Sequence, residues 1–330
     1  MDTAKIDKDN FLIIGGTGRS GTTILSKIFK SHPEFASVPE WRFLIDPDGI
    51  IDFYQSVKYS WSPYLYNIKL KRLDKILKNI SHSSKYYRYW RKINKILDKY
   101  FSFNYNLIPQ YSSINTKKYS PNFKEISKDL IEGLKSFKYQ TYWSGSVFLD
   151  SKNQYYKTTY QGIDKELRSF IYNIREDVLT FQNKRYYLEK NTWNILFYDK
   201  ILELLPDSKL VHIYRNPLDV IASFSKQSWM PNDLVQCAHI YKGLMQRWLQ
   251  VKSLVPEESY LEVSLDKLVE APEKILKKIC AFWGVEWHEN LLAISLDKLN
   301  KNRWKKDIDP SYLEKINTII IDINLQYGYV

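Results

Sequence analysis

A loop of glycines and hydroxyl side chains near the amino end of the chain has residue types suited to binding an anion. Residues 16–23 read GTGRSGTT and directly follow a short apolar run. Successive backbone N–H groups in such a loop can surround a phosphate, and the amino end of the following helix adds partial positive charge. The hydroxyls of Ser20, Thr22 and Thr23 would donate further hydrogen bonds. The alternative is a glycine turn whose hydroxyls only cap the helix.

Three classes of phosphate-binding protein use loops of this kind. The glycine spacing G-x-G-x-x-G is that of dinucleotide-dependent oxidoreductases, and Glu40 lies where their ribose-binding acid would lie. A kinase or NTPase loop needs a lysine where Thr22 stands, which weighs against magnesium-dependent phosphate chemistry. A third class would use Arg19, inside the loop, to bind a 5'-phosphosulfate. The loop alone leaves all three open.

A second motif, RNPLDVIAS at residues 215–223, directly follows the strand predicted at 209–214. Arg215 therefore leaves a parallel strand at its carboxyl end, the edge at which open α/β sheets bind ligands. Ser223 lies two turns along the predicted helix that follows. Arg215 and Ser223 together would bind a second phosphate, which a dinucleotide oxidoreductase does not need. The alternative is that Arg215 only pairs with a surface acid such as Asp219.

In these two motifs, and in His32-Pro33 after the first predicted helix, the chain resembles the sulfotransferases that use PAPS (3'-phosphoadenosine 5'-phosphosulfate). The branch with bacterial sulfotransferases and protein-tyrosine sulfotransferases is the most similar. The resemblance covers roughly residues 11–45 and 185–330 and does not extend to the middle of the chain. It implies an enzyme that transfers a sulfuryl group from PAPS to an acceptor hydroxyl and releases PAP (adenosine 3',5'-bisphosphate).

The resemblance also implies which residues bind the donor. The loop would hold the 5'-phosphosulfate, and the second motif would hold the 3'-phosphate. The sequence NRWK at residues 302–305 is similar to a G-R-W-R segment of the family, whose basic side chains close over the nucleotide. No metal belongs to this scheme. The expected nucleotide-binding residues are Gly18, Arg19, Ser20, Gly21, Thr22, Thr23, Arg215, Ser223, Arg303 and Lys305.

Three residues are expected to act on the transferred group. Glu40 matches the glutamate with which the tyrosine-sulfating branch takes the acceptor proton, and pairing with Arg42 is the alternative. Lys190, after a predicted strand, matches a lysine that stabilises the charge of the transition state, and Arg19 would do the same from the loop. His32 is expected to be structural, as a cap at the carboxyl end of a helix.

Apolar periodicity predicts the elements that position these residues. Strands are predicted at residues 11–14, 35–38, 186–189, 209–214 and 260–263. Helices are predicted at residues 24–29, 73–80, 93–100, 123–137, 167–178, 195–205, 234–251, 275–282 and 312–323. The alternation indicates an α/β fold with an open parallel sheet flanked by helices, and the resemblance implies the version found in P-loop NTPases. We predict one domain of 330 residues, in which 46–184 form a large helical insertion on the acceptor side.

The composition limits the remaining possibilities. A hydrophobic content of 44% is ordinary for a globular protein, and two cysteines give no framework of disulfides. No apolar run approaches the roughly 18 residues of a membrane-spanning helix, and the polar amino end does not resemble a secretory signal. A cytoplasmic location is therefore expected.

The charge and the aromatic content bear on the acceptor. The net charge is +12, and residues 58–99 hold twelve Lys or Arg with two acids, interspersed with Tyr and Trp. This composition suits a small-molecule or glycan acceptor, including an anionic one, and the absence of a nucleic-acid motif speaks against nucleic acid. Glycans, glycolipids, phenols and tyrosyl groups are candidates. A solvated basic surface and a non-catalytic basic binding protein are the alternatives.

Overall fold

A computed structural model describes residues 10–81, 93, 97, 114–141, 153–158, 162–296 and 302–329. The chain divides into two compact units. The first unit joins the segments Met1–Ala36 and Arg185–Val330, and the second unit is Ser37–Lys184. The second unit overlaps the predicted insertion at residues 46–184.

The strands and helices of the described residues are as follows. The strands are β1 (Phe11–Gly15), β2 (Phe137–Gln140), β3 (Asn153–Tyr156), β4 (Leu188–Lys190), β5 (Ser208–Tyr214) and β6 (Tyr260–Ser264). The helices are α1 (Thr22–Ser31), α2 (Ile50–Tyr59), α3 (Pro63–Ser81), α4 (Phe123–Gly133), α5 (Ile163–Gln182), α6 (Tyr198–Leu204), α7 (Pro217–Phe224), α8 (Leu234–Lys252), α9 (Leu265–Glu270), α10 (Pro272–Trp283), α11 (Trp304–Asp307) and α12 (Pro310–Tyr327). None of these helices has the length and apolar character needed to cross a membrane.

The first unit is built on a parallel four-stranded sheet with the order β4-β1-β5-β6. Every residue of β1 is buried, which explains why the run is continuously apolar rather than alternating. In the register of the sheet, Ile14 lies beside Lys190, Gly15 beside His212, and Tyr214 beside Ser264. The carboxyl ends of the four strands therefore fall at one edge. The α/β class with a parallel sheet flanked by helices is confirmed.

The core of the first unit explains which residues of the helices are apolar. Leu12 and Ile14 of β1 and Val211 of β5 pack in one cluster with apolar side chains of α1, α9 and α10. Its largest members include Phe29 and Trp283, whose ring centroids are 4.8 Å apart. This packing sets α1 against the sheet, so that the loop between β1 and α1 lies at the carboxyl edge.

His32 ends α1 and is held on both ring nitrogens. Its backbone N–H donates to the carbonyl oxygen of Phe29, and its Nδ1 accepts the N–H of Glu34 at 3.1 Å. Nε2 therefore carries the proton and donates to the carbonyl oxygen of Glu286 at 3.1 Å. Burial lowers the pKa of His32, which favours this neutral form. These contacts support the structural role expected for it.

The second unit is mainly helical, but it also contains a short antiparallel sheet. Strands β2 and β3 pair with Phe137 opposite Tyr156. The prediction of a helix over residues 123–137 was therefore wrong in its last turn. Helix α4 ends at Gly133, and the N–H of Ser136 already donates to the carbonyl oxygen of Tyr156. Of the helix predicted at residues 93–100, only Ile93 and Leu97 are described, and both are helical.

Two predicted strands differ from the structure. Residues 35–38 do not form a strand: Phe35 makes a single bridge with Tyr186, and the N–H of Ala36 donates to the Tyr186 carbonyl oxygen at 2.9 Å. The chain then leaves the sheet, and Pro39 has no N–H with which to continue a ladder. The strand predicted at 186–189 is displaced to Leu188–Lys190.

A half-buried carboxylate joins β6 to the helices behind it. Glu262 accepts hydrogen bonds from Trp248 Nε1 at 2.9 Å and Tyr327 Oη at 2.7 Å, and it pairs with Lys252 and with His212 Nδ1. Burial alone would raise the pKa of Glu262. The hydrogen bond and charge of His212, with hydrogen bonds from Lys252 and Trp248, outweigh it and hold the pKa well below its usual range. The carboxylate therefore fixes α8 and α12 to the sheet.

We expect Glu262→Gln to lower the free energy of unfolding by roughly 1.5–3 kcal/mol at pH 7, the usual loss for hydrogen bonds to a charged group. Because the pKa of Glu262 is depressed by folding, the carboxylate stabilises the fold above its unfolded-state pKa of about 4.3, and this contribution is lost as the pH falls toward its folded-state pKa. The difference in free energy of unfolding between wild type and variant should therefore narrow below about pH 4.3. Urea unfolding at pH 7 and pH 3.5 measures it. Glu258→Gln, at an exposed position, is the control; an equal gap at both pH values would contradict the assignment.

Candidate active site

The loop of residues 16–21 is tightly folded over the end of β1. The N–H of Gly16 donates to the carbonyl oxygen of Thr192 at 2.7 Å. A Cβ at Gly16 would lie 2.4 Å from Ser20 Oγ and 2.8 Å from the carbonyl oxygen of Ile213, so only glycine fits. Arg19 has a φ of 58°, which is uncommon for a residue with a side chain. Backbone strain of this kind is concentrated at functional sites.

The amino end of α1 is suited to an anion. Its N-cap is Gly21, with a φ of 111° and no capping side chain, and its first turn contains no acidic residue. The hydroxyls of the loop therefore do not serve as its cap, which was the alternative interpretation of the sequence. Ser20 is fully buried, and its Oγ has no hydrogen-bond partner among the described residues. A buried hydroxyl without a partner is costly unless a ligand provides one, so these groups fit a phosphate or sulfate.

The two sequence motifs meet at one hydrogen bond. Arg19 Nε in the loop donates to Ser223 Oγ in α7 at 2.8 Å, although the two residues are 204 positions apart in the chain. Helix α7 begins at Pro217 and is capped by Asn216, whose Oδ1 accepts the N–H of Leu218 at 2.9 Å. The cap and the proline fix the start of the helix after β5. This fixed start brings Ser223 to the loop.

Arg215 is held by a buried acid. Arg215 Nη2 donates to Asp219 at 3.0 Å, and the Asp219 side chain is only 1% exposed. The same carboxylate accepts the backbone N–H groups of Asn302 at 3.2 Å and Trp304 at 3.0 Å. Arg215 therefore does pair with Asp219, as the alternative interpretation of the sequence had it, but Asp219 is buried rather than at the surface. The four-residue spacing of this pair was visible in the sequence, but the distant partners of Asp219 were not.

The segment at residues 302–307 carries the basic residues predicted near the carboxyl end. Asn302 has a φ of 56°, which explains why a glycine is suited to this position and why asparagine tolerates it. Arg303 Nε donates to Asp307 at 2.7 Å, and Lys226 pairs with the same carboxylate at 2.6 Å. The hydrogen bond from Lys226, with help from Arg303, lowers the pKa of Asp307. Lys305 is exposed, with Nζ 5.8 Å from the centroid of the Trp304 ring.

Lys190 lies at the carboxyl end of β4, beside β1. Burial lowers the pKa of Lys30 in α1, and the positive charge of Lys190 lowers it further, so the two ammonium groups repel each other. The next residue, Asn191, is 5% exposed, and its Nδ2 has no hydrogen-bond partner among the described residues. Neither Lys30 nor Asn191 was predicted as a site residue. At the sheet edge that carries the loop, Lys190 adds positive charge and Asn191 an available donor, whereas Lys30 lies in the last turn of α1.

Glu40 belongs to the second unit, where it is half-buried. Burial raises the pKa of Asp46, and the negative charge of Glu40 raises it further against the opposing charge of Arg42. Glu40 and Asp46 therefore form a pair of interacting carboxyl groups within this unit. Sequence analysis did not single out Asp46. The role of Glu40 as a base stays a prediction.

A family model described as "Sulfotransferase family" matches residues 140–289. The matched range contains Lys190, Arg215 and Ser223. Residues 140–289, which are less than half of this chain, are thus similar to the sulfotransferase family. The match begins inside the segment to which the resemblance seen in the sequence did not extend, and it does not include the loop at residues 16–21.

The chain is also similar to one relative of unstated activity and to solved sulfotransferase structures. An uncharacterized protein from Aquifex aeolicus (strain VF5) is 24% identical over 164 residues, which cover 43% of this chain and 21% of that protein. The match thus spans about a fifth of the relative's length. The sulfotransferase domain of the olefin synthase from Synechococcus PCC 7002 is 18% identical, with a TM-score of 0.49 over 97% of this chain and 95% of that chain. Sulfotransferase STF9 from Mycobacterium avium is 14% identical, with a TM-score of 0.44 over 96% and 76%.

We expect Asp219→Asn to release the segment at residues 302–304. An amide has one accepting oxygen in place of two, and its NH2 would face the N–H groups that the carboxylate accepts. Hydrogen exchange at the Asn302 and Trp304 amides should become at least about tenfold faster, because the loss of one such bond corresponds to roughly 1.4 kcal/mol. Exchange measured by mass spectrometry or NMR tests this. Asp307→Asn is the control: it weakens the ion pair with Arg303 and should leave both amides protected. Unchanged exchange in Asp219→Asn would contradict the role of Asp219 in holding residues 302–304.

Proposed function

We propose that this protein transfers a sulfuryl group from PAPS to an acceptor hydroxyl and releases PAP. The observation that carries the proposal is the hydrogen bond from Arg19 to Ser223, because it joins two anion-binding motifs at one edge of the sheet. A nucleotide with a 3'-phosphate and a 5'-phosphosulfate needs two such motifs close together. The match of residues 140–289 to a model of the sulfotransferase family supports the same reaction.

The described residues fit the two anionic ends of this donor. The loop offers the buried Ser20 hydroxyl and the uncapped amino end of α1 for the 5' end. Arg215 and Ser223 would hold the 3'-phosphate, with Asp219 fixing the direction of the guanidinium. Arg303 and Lys305 would contribute from the segment that Asp219 also holds. These roles rest on the positions of the residues at the sheet edge and on the resemblance of the motifs.

Charge stabilisation and proton removal are the tasks of the remaining residues. The bound donor supplies a sulfuryl group whose bond to the phosphate oxygen breaks as the acceptor oxygen bonds to sulfur. Lys190 and Arg19 would stabilise the negative charge that develops on the oxygens around sulfur. Glu40 would accept the proton of the acceptor hydroxyl as a general base. The proposed reaction uses no metal ion.

The structure weighs against the dinucleotide-dependent oxidoreductase. That class places its ribose-binding acid at the end of a strand next to β1. In the described residues the neighbours of β1 are β4 and β5, and the segment before Glu40 makes only the single bridge at Phe35. A kinase remains disfavoured because Thr22 occupies the position of its lysine. The sulfotransferase is therefore the function that the site supports best.

We expect PAP to bind without magnesium. The variants Arg19→Ala and Arg215→Ala should each weaken the affinity for PAP by about 30-fold or more, because charge-assisted hydrogen bonds to phosphate are stronger than neutral ones. Titration calorimetry in the presence of EDTA measures both affinities. Arg185→Ala is the matched control, since Arg185 lies in the same unit and pairs with Glu286 at 3.0 Å. Tight binding of NAD(P)H with no binding of PAP would contradict the proposal.

We expect Glu40→Gln to abolish transfer while leaving the affinity for PAP within about twofold of wild type, because the amide cannot accept the proton. Turnover with labelled PAPS over a panel of phenols, sugars, glycolipids and peptides, alongside PAP calorimetry, separates the two effects. Glu34→Gln changes an exposed glutamate and should keep full turnover. Unchanged turnover in Glu40→Gln would remove Glu40 from the role of base and leave the donor site untouched.

A further inference from the structure

Two tryptophans lie exposed in the first unit beside the loop. Trp193 is 40% exposed and Trp229 is 52% exposed, although Trp is normally one of the more buried residue types. Trp193 belongs to the 3₁₀ turn Thr192–Leu196 that follows β4, and Trp229 follows α7. Their ring centroids are 6.5 Å apart with an interplanar angle of 78°. Two segments that follow separate strands therefore bring two aromatic rings together.

Gly18 in the loop lies close to one of these rings. A Cβ at Gly18 would lie 3.4 Å from Trp229 Cη2, 3.2 Å from Thr192 Cγ2 and 3.5 Å from Phe224 Cε1. Phe224 packs against Trp229, with ring centroids 5.8 Å apart. We call Trp193, Phe224 and Trp229 the aromatic corner. It borders the loop residue that precedes Arg19, and Phe224 directly follows Ser223.

The chemistry of the aromatic corner favours one kind of occupant. Two ring faces at nearly a right angle offer one surface for offset stacking and one for an edge-to-face contact, which together suit an aromatic ring. The neighbouring groups at Gly18 are carbon atoms of Thr192, Phe224 and Trp229. The three atoms nearest Gly18 offer the hydroxyls of a sugar ring no hydrogen-bond partner, so contact with them brings a sugar no polar interaction. An aromatic ring needs no such partner.

We propose that the aromatic corner binds the ring of a phenolic acceptor, so that its hydroxyl lies at the loop. The inference rests on the proposed function, because it takes the loop as the place where the sulfuryl group is held. It deepens that function by naming the class of acceptor. Trp193 and Trp229 are then residues that determine specificity, and Phe224 supports Trp229 from behind.

The experiment is calorimetry on the full-length protein saturated with PAP. The probes are 2-naphthol, its saturated counterpart 2-decalol, and methyl β-glucoside. Wild type should bind 2-naphthol at least about tenfold more tightly than the other two. Trp193→Ala and Trp229→Ala should each weaken the binding of 2-naphthol by about tenfold. Trp229→Phe keeps an aromatic face, so its affinity for 2-naphthol should stay within about threefold of wild type. In turnover assays the alanine variants should raise KM for 2-naphthol more than they lower kcat.

Two controls separate this inference from the proposed function. The affinity for PAP should be unchanged in the tryptophan variants. Tyr312→Ala removes another exposed aromatic ring of the same unit, and it should change the affinity for neither PAP nor 2-naphthol. If wild type fails to bind PAP, the proposed function itself fails. If PAP binds but 2-naphthol does not, or if the alanine variants bind 2-naphthol as wild type does, the aromatic corner is not its site. Tighter binding of the glucoside, lost in Trp229→Ala, would overturn the phenolic class in favour of a sugar.

Discussion

The parallel direction of β4, β1, β5 and β6 is the constraint on which the candidate site depends. Because the strands run the same way and in register, the residues that follow them emerge at one edge. The loop after β1, Lys190 at the end of β4 and Arg215 after β5 are far apart in sequence and neighbours in the sheet. A shift of one strand by a single residue would turn its side chains to the opposite face and separate these groups.

Several positively charged side chains lie at this edge, and like charges repel one another. Lys190 ends β4 at this edge, and Arg19 and Arg215 lie in the loop after β1 and directly after β5. Buried Asp219 neutralises part of this charge and at the same time orients Arg215 and the segment at 302–304. An anion that pairs with the other cations would remove repulsion that the fold otherwise tolerates. Its binding should therefore stabilise the native state through linkage.

Local sequence signals were enough for the loop and the helices around the sheet. Phe11 to Gly15 is apolar because it is buried on both faces, and Pro217 with Asn216 marks the start of α7. The contacts that complete the site were not predictable, because they join distant segments. Asp219 and the N–H groups of Asn302 and Trp304 are more than 80 residues apart. The exposed Trp193 and Trp229 gave no periodic signal at all, and residues 35–38 looked like a strand because apolar residues there bury against Tyr186 without extending the sheet.

A crystal structure of the protein soaked with PAP is the most direct measurement of the central claim, that the loop and α7 form one binding site for a single bisphosphate. We expect one PAP molecule with its 5'-phosphate at Arg19 and Ser20 and its 3'-phosphate at Arg215 and Ser223. A nucleotide that touches only one of the two motifs, or that binds away from the carboxyl edge of the sheet, would contradict it.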